Sequence, residues 1–268
     1  MSGLLSRVVV AAVLLPALLG VVWLGGWWLV AFAAVAAVIA LHEYAGMVRP
    51  LRPLVLACYL GAIAMLASTV AGGLEWLVGA FLGGLALTFV MHGIASTRAP
   101  ATVAMGSTVL GLAWVGFGLA HIVLLRQLPE WGVHAVYTVL LAVFAADTLA
   151  YFTGRLLGRH KLAPVISPGK TWEGFVAGTL AAVAVAFFAL YADRDAFLEI
   201  WQLLVLGAAV ALAAALGDLF ESALKRDMQV KDTGRLLAGH GGVLNRIDSL
   251  LFAAPAAFYL LLAFGHGS

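Results

Sequence analysis

The stretch IWQLLVLGAAVALAAALGDLFESALKR, Ile200 to Arg226, changes character partway along. No charged side chain occurs between Ile200 and Leu216, whereas acidic and basic residues follow from Asp218 onward. A helix needs about 20 mainly apolar residues to cross a bilayer. The stretch therefore predicts a membrane-spanning helix over 199–225 that ends in a polar face.

Apolar runs of this kind recur along the whole chain. Of its 268 residues 64% are hydrophobic and 10% are charged, and the mean hydropathy is +1.06, which excludes an ordinary soluble domain. Dividing the runs at charges, prolines and glycine pairs predicts nine spans, at 4–24, 26–47, 53–72, 74–95, 102–126, 133–156, 173–192, 199–225 and 246–265. We therefore expect an all-α polytopic membrane protein forming one integrated membrane domain. Residues 1–132 would supply about five scaffold and packing helices, and residues 133–268 about four helices that carry the site.

The positive charges predict an orientation for these spans. If loops alternate between the two sides, 13 of the 15 Lys and Arg residues fall on the side of the N-terminus; the two on the other side are Arg126 and Arg194. Cytoplasmic loops carry the excess of Lys and Arg. We expect a cytoplasmic N-terminus, two long cytoplasmic loops and an external C-terminus.

The first of three polar segments runs from Asp147 to Gly174. Asp147 lies within a predicted span, and an ionised Asp at that depth needs a partner such as a Lys, an Arg or a metal ion. The following SPGKTWEG, Ser167 to Gly174, predicts a turn that opens a helix and cradles phosphate. Its candidate ligand contacts are Ser167, Lys170, Thr171 and Glu173. The alternative is a Thr- or Ser-capped helix start whose lysine meets lipid headgroups.

The second segment is the polar end of the opening stretch. Asp218, Glu221, Ser222 and Lys225 are spaced i, i+3, i+4 and i+7, so they form one stripe on a helix. Two carboxylates and an ammonium suit metal binding combined with phosphate contact. A stripe of ion pairs that neutralise one another is the alternative.

The third segment, Val230 to Ser249, contains Lys231, Asp232 and the run GHGGVLNRIDS. Glycines around His240 allow a backbone to approach a ligand closely. Asn245 and Asp248 are three residues apart at the start of the last predicted span, where Asp248 can face the Asp218 stripe. Oxygen ligands beside Lys and Arg favour Mg²⁺ with a polyphosphate. The sequence has neither a zinc-type ligand set nor a Walker A motif.

The first half of the chain carries few polar residues, and Glu43 is one of them. Glu43 follows His42 near the end of the second predicted span. Glu43 could serve the site, but we expect the two residues to form an interfacial pair that caps a helix end.

The segment SALKRDMQVKDTGRLLAGHGGVLNRID, Ser222 to Asp248, resembles the signature of the integral-membrane phosphatidate cytidylyltransferases, or CDP-diacylglycerol synthases. The resemblance implies that CTP and phosphatidic acid react to CDP-diacylglycerol and pyrophosphate with Mg²⁺, a second metal ion being possible. It implies metal ligation by Asp218 and by the first residue of the final Asp-Arg-x-Asp.

Together with the spacing arguments, the resemblance gives three sets of candidate residues. The catalytic set is Lys225, Arg226, Asp218 and Asp248; the metal set is Asp218, Asn245 and Asp248; the substrate-binding set is Ser167, Lys170, Thr171, Glu173, Ser222, Lys231, Asp232, His240, Gly241, Gly242, Arg246 and Asp147.

The chain departs from this signature at Asn245, where the family pattern has Asp. Asn keeps the shape and one carbonyl oxygen but loses the negative charge, so it is a poorer ligand for a divalent cation. Either the chain is a deliberately weakened version that traps substrate, which we favour, or it is a natural variant that relies on Asp218 and Asp248.

Two other functions fit parts of the pattern. A CTP-dependent lipid kinase would share the nucleotide contacts but transfer the γ-phosphoryl group. An ion-coupled transporter would place polar residues near the midplane of several helices, whereas here they gather at one end. The resemblance and the Gly- and Ala-rich helix faces indicate a homodimer. The size and simple architecture indicate a bacterial inner membrane, and the Lys and Arg distribution indicates a site that faces the cytoplasm.

Overall fold

The computed structural model describes residues 16–95, 100–191, 196–234 and 242–266. In this part of the chain, seven helices are long and apolar enough to cross a membrane. They are α1 (Gly26–Met47), α2 (Val55–Ile94), α3 (Ala101–Arg126), α4 (Gly132–Leu156), α5 (Trp172–Leu190), α6 (Ile200–Asp227) and α7 (Leu244–Ala263). Residues 16–24, before α1, are also helical. The protein is an all-α polytopic membrane protein, as the hydropathy predicts.

The longest helix, α2, is interrupted at a glycine pair. Gly72 has φ −163° and ψ 26°, and Gly73 has φ 65° and ψ −145°. A positive φ is readily adopted only by glycine, so the pair lets the chain change direction. The break separates the two spans predicted at 53–72 and 74–95. The span predicted at 4–24 begins outside the described residues.

The segment between α4 and α5 differs from the prediction of a loop. Lys161–Ala163 (β1) and Ser167–Thr171 (β2) pair as a short antiparallel hairpin, and β2 leads directly into α5. The prediction of a turn over this segment is therefore wrong. Pro168 and Gly169 argue against a strand in a central position, but a two-stranded hairpin has only edge strands, where such residues are tolerated.

The chain divides into two compact units. One comprises Met1–Leu124 with Met228–Ile247, and the other comprises Leu125–Asp227 with Asp248–Ser268. The first therefore contains α1, α2 and most of α3, and the second contains α4, the hairpin, α5 and α6. The boundary falls within α7, whose first residues belong to the first unit and whose remainder belongs to the second.

Each unit has its own close helix contacts. In the first, the buried Tyr44 of α1 donates a hydrogen bond from its hydroxyl to the Ser107 carbonyl of α3 at 2.6 Å. In the second, a Cβ at Gly178 of α5 would lie 2.7 Å from the Ala146 carbonyl oxygen of α4. Glycine there lets two helix backbones pack closely, as is typical of membrane helices.

Candidate active site

The polar end of α6 forms the centre of the candidate site. Glu221 is fully buried, and its Oε2 accepts a hydrogen bond from Lys225 Nζ at 2.5 Å. One turn earlier, Ser222 Oγ lies 3.4 Å from Asp218 Oδ1. The predicted stripe is therefore present, and one half of it is an internal ion pair.

A lysine from the hairpin reaches this stripe. Lys170 Nζ lies 2.6 Å from Asp218 Oδ2, with the two side chains 23% and 36% exposed. Lys170 therefore lies within the carboxylate cluster, contrary to the alternative in which it meets lipid headgroups. The arrangement joins a candidate phosphate contact to a candidate metal ligand.

Two further aspartates complete the cluster. Asp248 of α7 is buried and lies against Glu221, with Asp218 also within electrostatic range; its Oδ1 accepts a hydrogen bond from the Ser249 amide at 2.8 Å. Asp147 of α4 lies within electrostatic range of Asp218 and Lys170. As expected from its position in the sequence, Asp248 faces the α6 stripe.

The approach of α7 to α6 depends on a glycine. A Cβ at Gly217 would lie 2.5 Å from the Asp248 carbonyl oxygen and 3.1 Å from Ser249 Cα. Because no side chain separates the backbones here, Asp248 can come close to the carboxylates of α6. Gly217 precedes Asp218 directly, so the close contact and the stripe occupy the same turn.

The carboxylate oxygens of this cluster are the type of ligand that a hard divalent cation prefers. Mg²⁺ prefers oxygen ligands and is usually held by one or two carboxylates together with substrate phosphates. Glu221 Oε1 is buried and accepts no hydrogen bond within the described residues, so its oxygen is under-satisfied. No group of three or more His, Cys, Asp or Glu side chains in the described ranges is arranged to hold a metal ion. The residues that could contribute oxygen ligands are Asp218, Glu221 and Asp248, and substrate phosphates would have to supply the remaining ligands.

Several residues of the predicted phosphate cradle hold local structure. Thr171 Oγ1 accepts a hydrogen bond from the Gly174 amide at 3.1 Å and caps α5. The Glu173 carboxylate accepts from the His160 backbone amide and lies 2.7 Å from His160 Nδ1. The Ser167 residue lies in β2 and is half-buried. The capped helix start considered as an alternative is thus present, and it presents Lys170 to the cluster.

Arg226 also contributes to holding the hairpin. Its Nε donates a hydrogen bond to the Ile166 carbonyl in the turn between the strands at 3.2 Å. The guanidinium is exposed beyond the end of the α6 stripe. Its predicted catalytic role stays a prediction.

The residues of the third segment belong largely to the first unit. Lys231 and Asp232 are exposed, Asn245 is half-buried and Arg246 is exposed in the first turn of α7. His240 and Gly241 lie outside the described residues. Gly242 is buried, and the group it contacts is a protein side chain, that of Glu43.

Glu43 has a partner that could not be identified from the sequence. Its carboxylate is buried and accepts hydrogen bonds from the Val243 amide at 3.0 Å and the Leu244 amide at 2.9 Å. It therefore caps a helix end, as expected, but the helix is α7. The expected pairing with His42 is wrong, because His42 Nδ1 lies 3.0 Å from the Tyr59 hydroxyl. The available signal was a carboxylate in an apolar span, which requires a partner.

The chain is similar to proteins of known family over almost its full length. The sequence model of the Cytidylyltransferase family matches residues 5–264. A protein named phosphatidate cytidylyltransferase from Staphylococcus haemolyticus is 35% identical over 263 residues, covering 96% of this chain and 97% of the relative. Proteins of that name from Staphylococcus saprophyticus and Staphylococcus aureus are each 34% identical with the same coverage. The family model covers almost the whole chain and the relatives are about 35% identical over 96% of it, so the chain belongs to the cytidylyltransferase family.

Proposed function

We propose that the chain is a phosphatidate cytidylyltransferase, converting CTP and phosphatidic acid into CDP-diacylglycerol and pyrophosphate. The observation that carries the proposal is the ion pair between Lys170 and Asp218, which joins the hairpin to the carboxylates of α6. The name shared by the relatives, which match 96% of the chain, supports the same substrates. A phosphate oxygen of phosphatidic acid attacks the α-phosphorus of CTP. The new P–O bond replaces the bond to the α,β-bridging oxygen, and pyrophosphate leaves.

Fixed cations stabilise the charge that this reaction develops on the phosphoryl oxygens. Lys170 and Lys225 are the first candidates, because both lie beside the carboxylates of α6. Arg226, Lys231 and Arg246 are further candidates, because the Lys and Arg distribution predicts them on the cytoplasmic side. The reaction requires no covalent protein intermediate.

Asp218 and Asp248 are the residues we propose as ligands of Mg²⁺, with Asn245 at a ligand position that has lost its charge. Bound Mg²⁺ would supply Lewis-acid stabilisation of phosphate charge. Lys170 would hold Asp218 in place, and Lys225 would neutralise Glu221 beside Asp248. The under-satisfied Glu221 Oε1 marks where the cluster has unused acceptor capacity.

We also propose nine spans with a cytoplasmic N-terminus, a homodimer, and a bacterial inner-membrane location with the site facing the cytoplasm. The break at Gly72–Gly73 and the helical residues 16–24 support the count, and the Lys and Arg distribution supports the orientation. A reporter fused to the C-terminus should be active outside the cytoplasm. A reporter active only in the cytoplasm would contradict this topology.

The reaction is tested by following the phosphorus atoms of CTP. Purified protein in mixed micelles with phosphatidic acid and Mg²⁺ receives CTP labelled at the α- or at the γ-position. Label from the α-phosphorus should enter lipid, and label from the γ-phosphorus should leave as pyrophosphate. Lipid that acquires the γ-label would instead identify a kinase, and no transfer of either label by the chain or by its Asn245→Asp variant would reject both activities.

A further inference from the structure

Helix α7 begins without a cap from its own sequence. The residue before it is Val243, whose side chain accepts no hydrogen bond, and the first turn contains no acidic residue. The first amides of a helix have no partner within the helix and carry the positive end of its dipole. In a membrane protein these amides need an acceptor from elsewhere in the chain.

Glu43 supplies that acceptor from a position far away in the sequence. Each of its two carboxylate oxygens receives one backbone amide, Oε1 from Val243 and Oε2 from Leu244, at 3.0 and 2.9 Å. The residue is 5% exposed, so the bonds are shielded from water. A negative charge at a helix N-terminus also interacts favourably with the helix dipole.

The surrounding backbone leaves space for this carboxylate. A Cβ at Gly234 would lie 2.5 Å from Glu43 Oε1, and a Cβ at Gly242 would collide with Glu43 Oε2. The same Cβ at Gly242 would lie 2.7 Å from Thr233 Oγ1. Two positions of the third polar segment therefore lie close to the Glu43 carboxylate, and both are glycines.

We propose that Glu43 is a positioning residue for the turn from Asn245 to Asp248. The turn follows the capped amides directly, since Asn245 is the next residue after Leu244 in α7. By fixing where α7 begins, the cap fixes the rotation of the helix that presents Asn245 and, three residues later, Asp248. The catalytic meaning of this role rests on the proposed function, whereas the cap itself does not.

The cap also changes how the glycine-rich segment is interpreted. Amides at a helix N-terminus are a common binding site for phosphate. Here the amides of Val243 and Leu244 already bind a carboxylate, so the start of α7 is closed to a phosphate group. Under the proposed function, lysines such as Lys170 would then hold the nucleotide phosphates. The opposite role, in which CTP displaces Glu43, is an outcome of the test below.

The cap is tested first by hydrogen–deuterium exchange on the detergent-purified full-length protein. Glu43→Ala should make the amides at the start of α7 exchange about tenfold faster, because loss of a helix cap favours fraying. Gly46→Ala is the matched control, since it lies in the same helix and a Cβ there meets nothing within 4 Å. Unchanged exchange in Glu43→Ala would overturn the proposal.

The positioning role is tested by the Mg²⁺ dependence of activity, in an Asn245→Asp background that has both family carboxylates. Glu43→Ala should raise the Mg²⁺ concentration for half-maximal rate by about tenfold, as expected when the support of a metal ligand is lost, with little change in KM for CTP. Gly242→Ala should produce a similar shift on its own. Its effect should be smaller in Glu43→Ala, because the collision with the carboxylate is then absent and only the contact with Thr233 Oγ1 remains.

The remaining outcomes separate this proposal from the proposed function. If Glu43→Ala shows faster exchange but the same Mg²⁺ dependence as the Gly46→Ala control, Glu43 is a purely structural cap. That result would overturn the positioning role. If Glu43→Ala has a lower KM for CTP and a higher rate, Glu43 competes with phosphate for the amides of α7. That result would also overturn the positioning role. Absence of CDP-diacylglycerol from every variant, including the background, would reject the proposed function, and the exchange result would still decide the cap.

Discussion

Glu43 and Glu221 are two buried glutamates in apolar helices, and their carboxylates differ in their hydrogen-bond partners. Both oxygens of Glu43 accept backbone amides, whereas Glu221 pairs through one oxygen with Lys225 and its other oxygen accepts no hydrogen bond from any described residue. Glu221 also lies against a second carboxyl group, that of Asp248. A buried charge whose bonds are complete stabilises one geometry, whereas an incomplete cluster retains the capacity to bind a ligand. We therefore assign positioning to Glu43 and chemistry to the cluster around Glu221.

The largest effect is expected when Lys225 is removed from this cluster. Lys225→Ala leaves Glu221 as a buried charge without its partner, which costs about 3–5 kcal/mol of stability. The variant should show a much lower melting temperature in detergent and no measurable cytidylyl transfer. A second substitution, Glu221→Gln, should restore most of the melting temperature but not the activity, because the phosphate contact is still missing. Full stability of Lys225→Ala alone would show that Glu221 is not held as a buried anion.

Lys170 provides the next test, because it joins the cluster from outside α6. Removing one phosphate contact in a water-poor site costs about 2–4 kcal/mol of transition-state stabilisation, so Lys170→Ala should lower kcat about 10²- to 10³-fold. Lys161→Ala is the control, since this exposed lysine lies in β1 of the same hairpin. Equal rates for both variants, in folded protein, would show that the ion pair with Asp218 serves only the structure.

Sequence alone predicted much of the fold, for a physical reason. Apolar length and glycine pairs determine where helices can cross a bilayer, so the spans and the break at Gly72–Gly73 follow from local composition. The cap of α5 is also local, because Thr171 lies three residues before Gly174. The hairpin was missed because two short strands containing Pro168 have no strong local pattern.

The candidate site was predictable where its partners share a helix or, as for Asp248 and the α6 stripe, lie at the facing ends of consecutive helices. The stripe on α6 follows from a spacing of three and four residues. The pairing of Lys170 with Asp218 depends on how the hairpin folds back, and Glu43 caps a helix that begins about 200 residues later in the chain. No local pattern encodes such contacts. What the sequence does show is a carboxylate in an apolar helix, which needs a partner somewhere.

A substitution at Asn245 in α7 tests whether this position takes part in metal binding by the cluster. Asn245→Asp should raise the Mg²⁺-dependent rate about a hundredfold if the restored charge stabilises the transition state by about 2.7 kcal/mol. The measurement is CDP-diacylglycerol synthesis by the two proteins across a Mg²⁺ series. Equal rates at every concentration would remove position 245 from the metal site and leave Asp218 with Asp248.

The smallest effect is expected at Glu43 itself, from a substitution that keeps its shape. Glu43→Gln retains one carbonyl oxygen that can accept an amide but loses the charge that interacts with the dipole of α7. The loss should be about 1 kcal/mol, or roughly fivefold in the Mg²⁺ concentration for half-maximal rate.

Glu43→Asp provides the contrast, because it keeps the charge but is one methylene shorter and cannot reach both amides unless the backbone shifts. If charge dominates the cap, Asp should be the milder change; if reach dominates, Gln should be milder. Since both amides bind within 3.0 Å, we expect reach to dominate, so Gln should retain more activity than Asp. Wild-type Mg²⁺ dependence in both variants would show that the start of α7 holds its position without Glu43, and Glu43 would then have no positioning role.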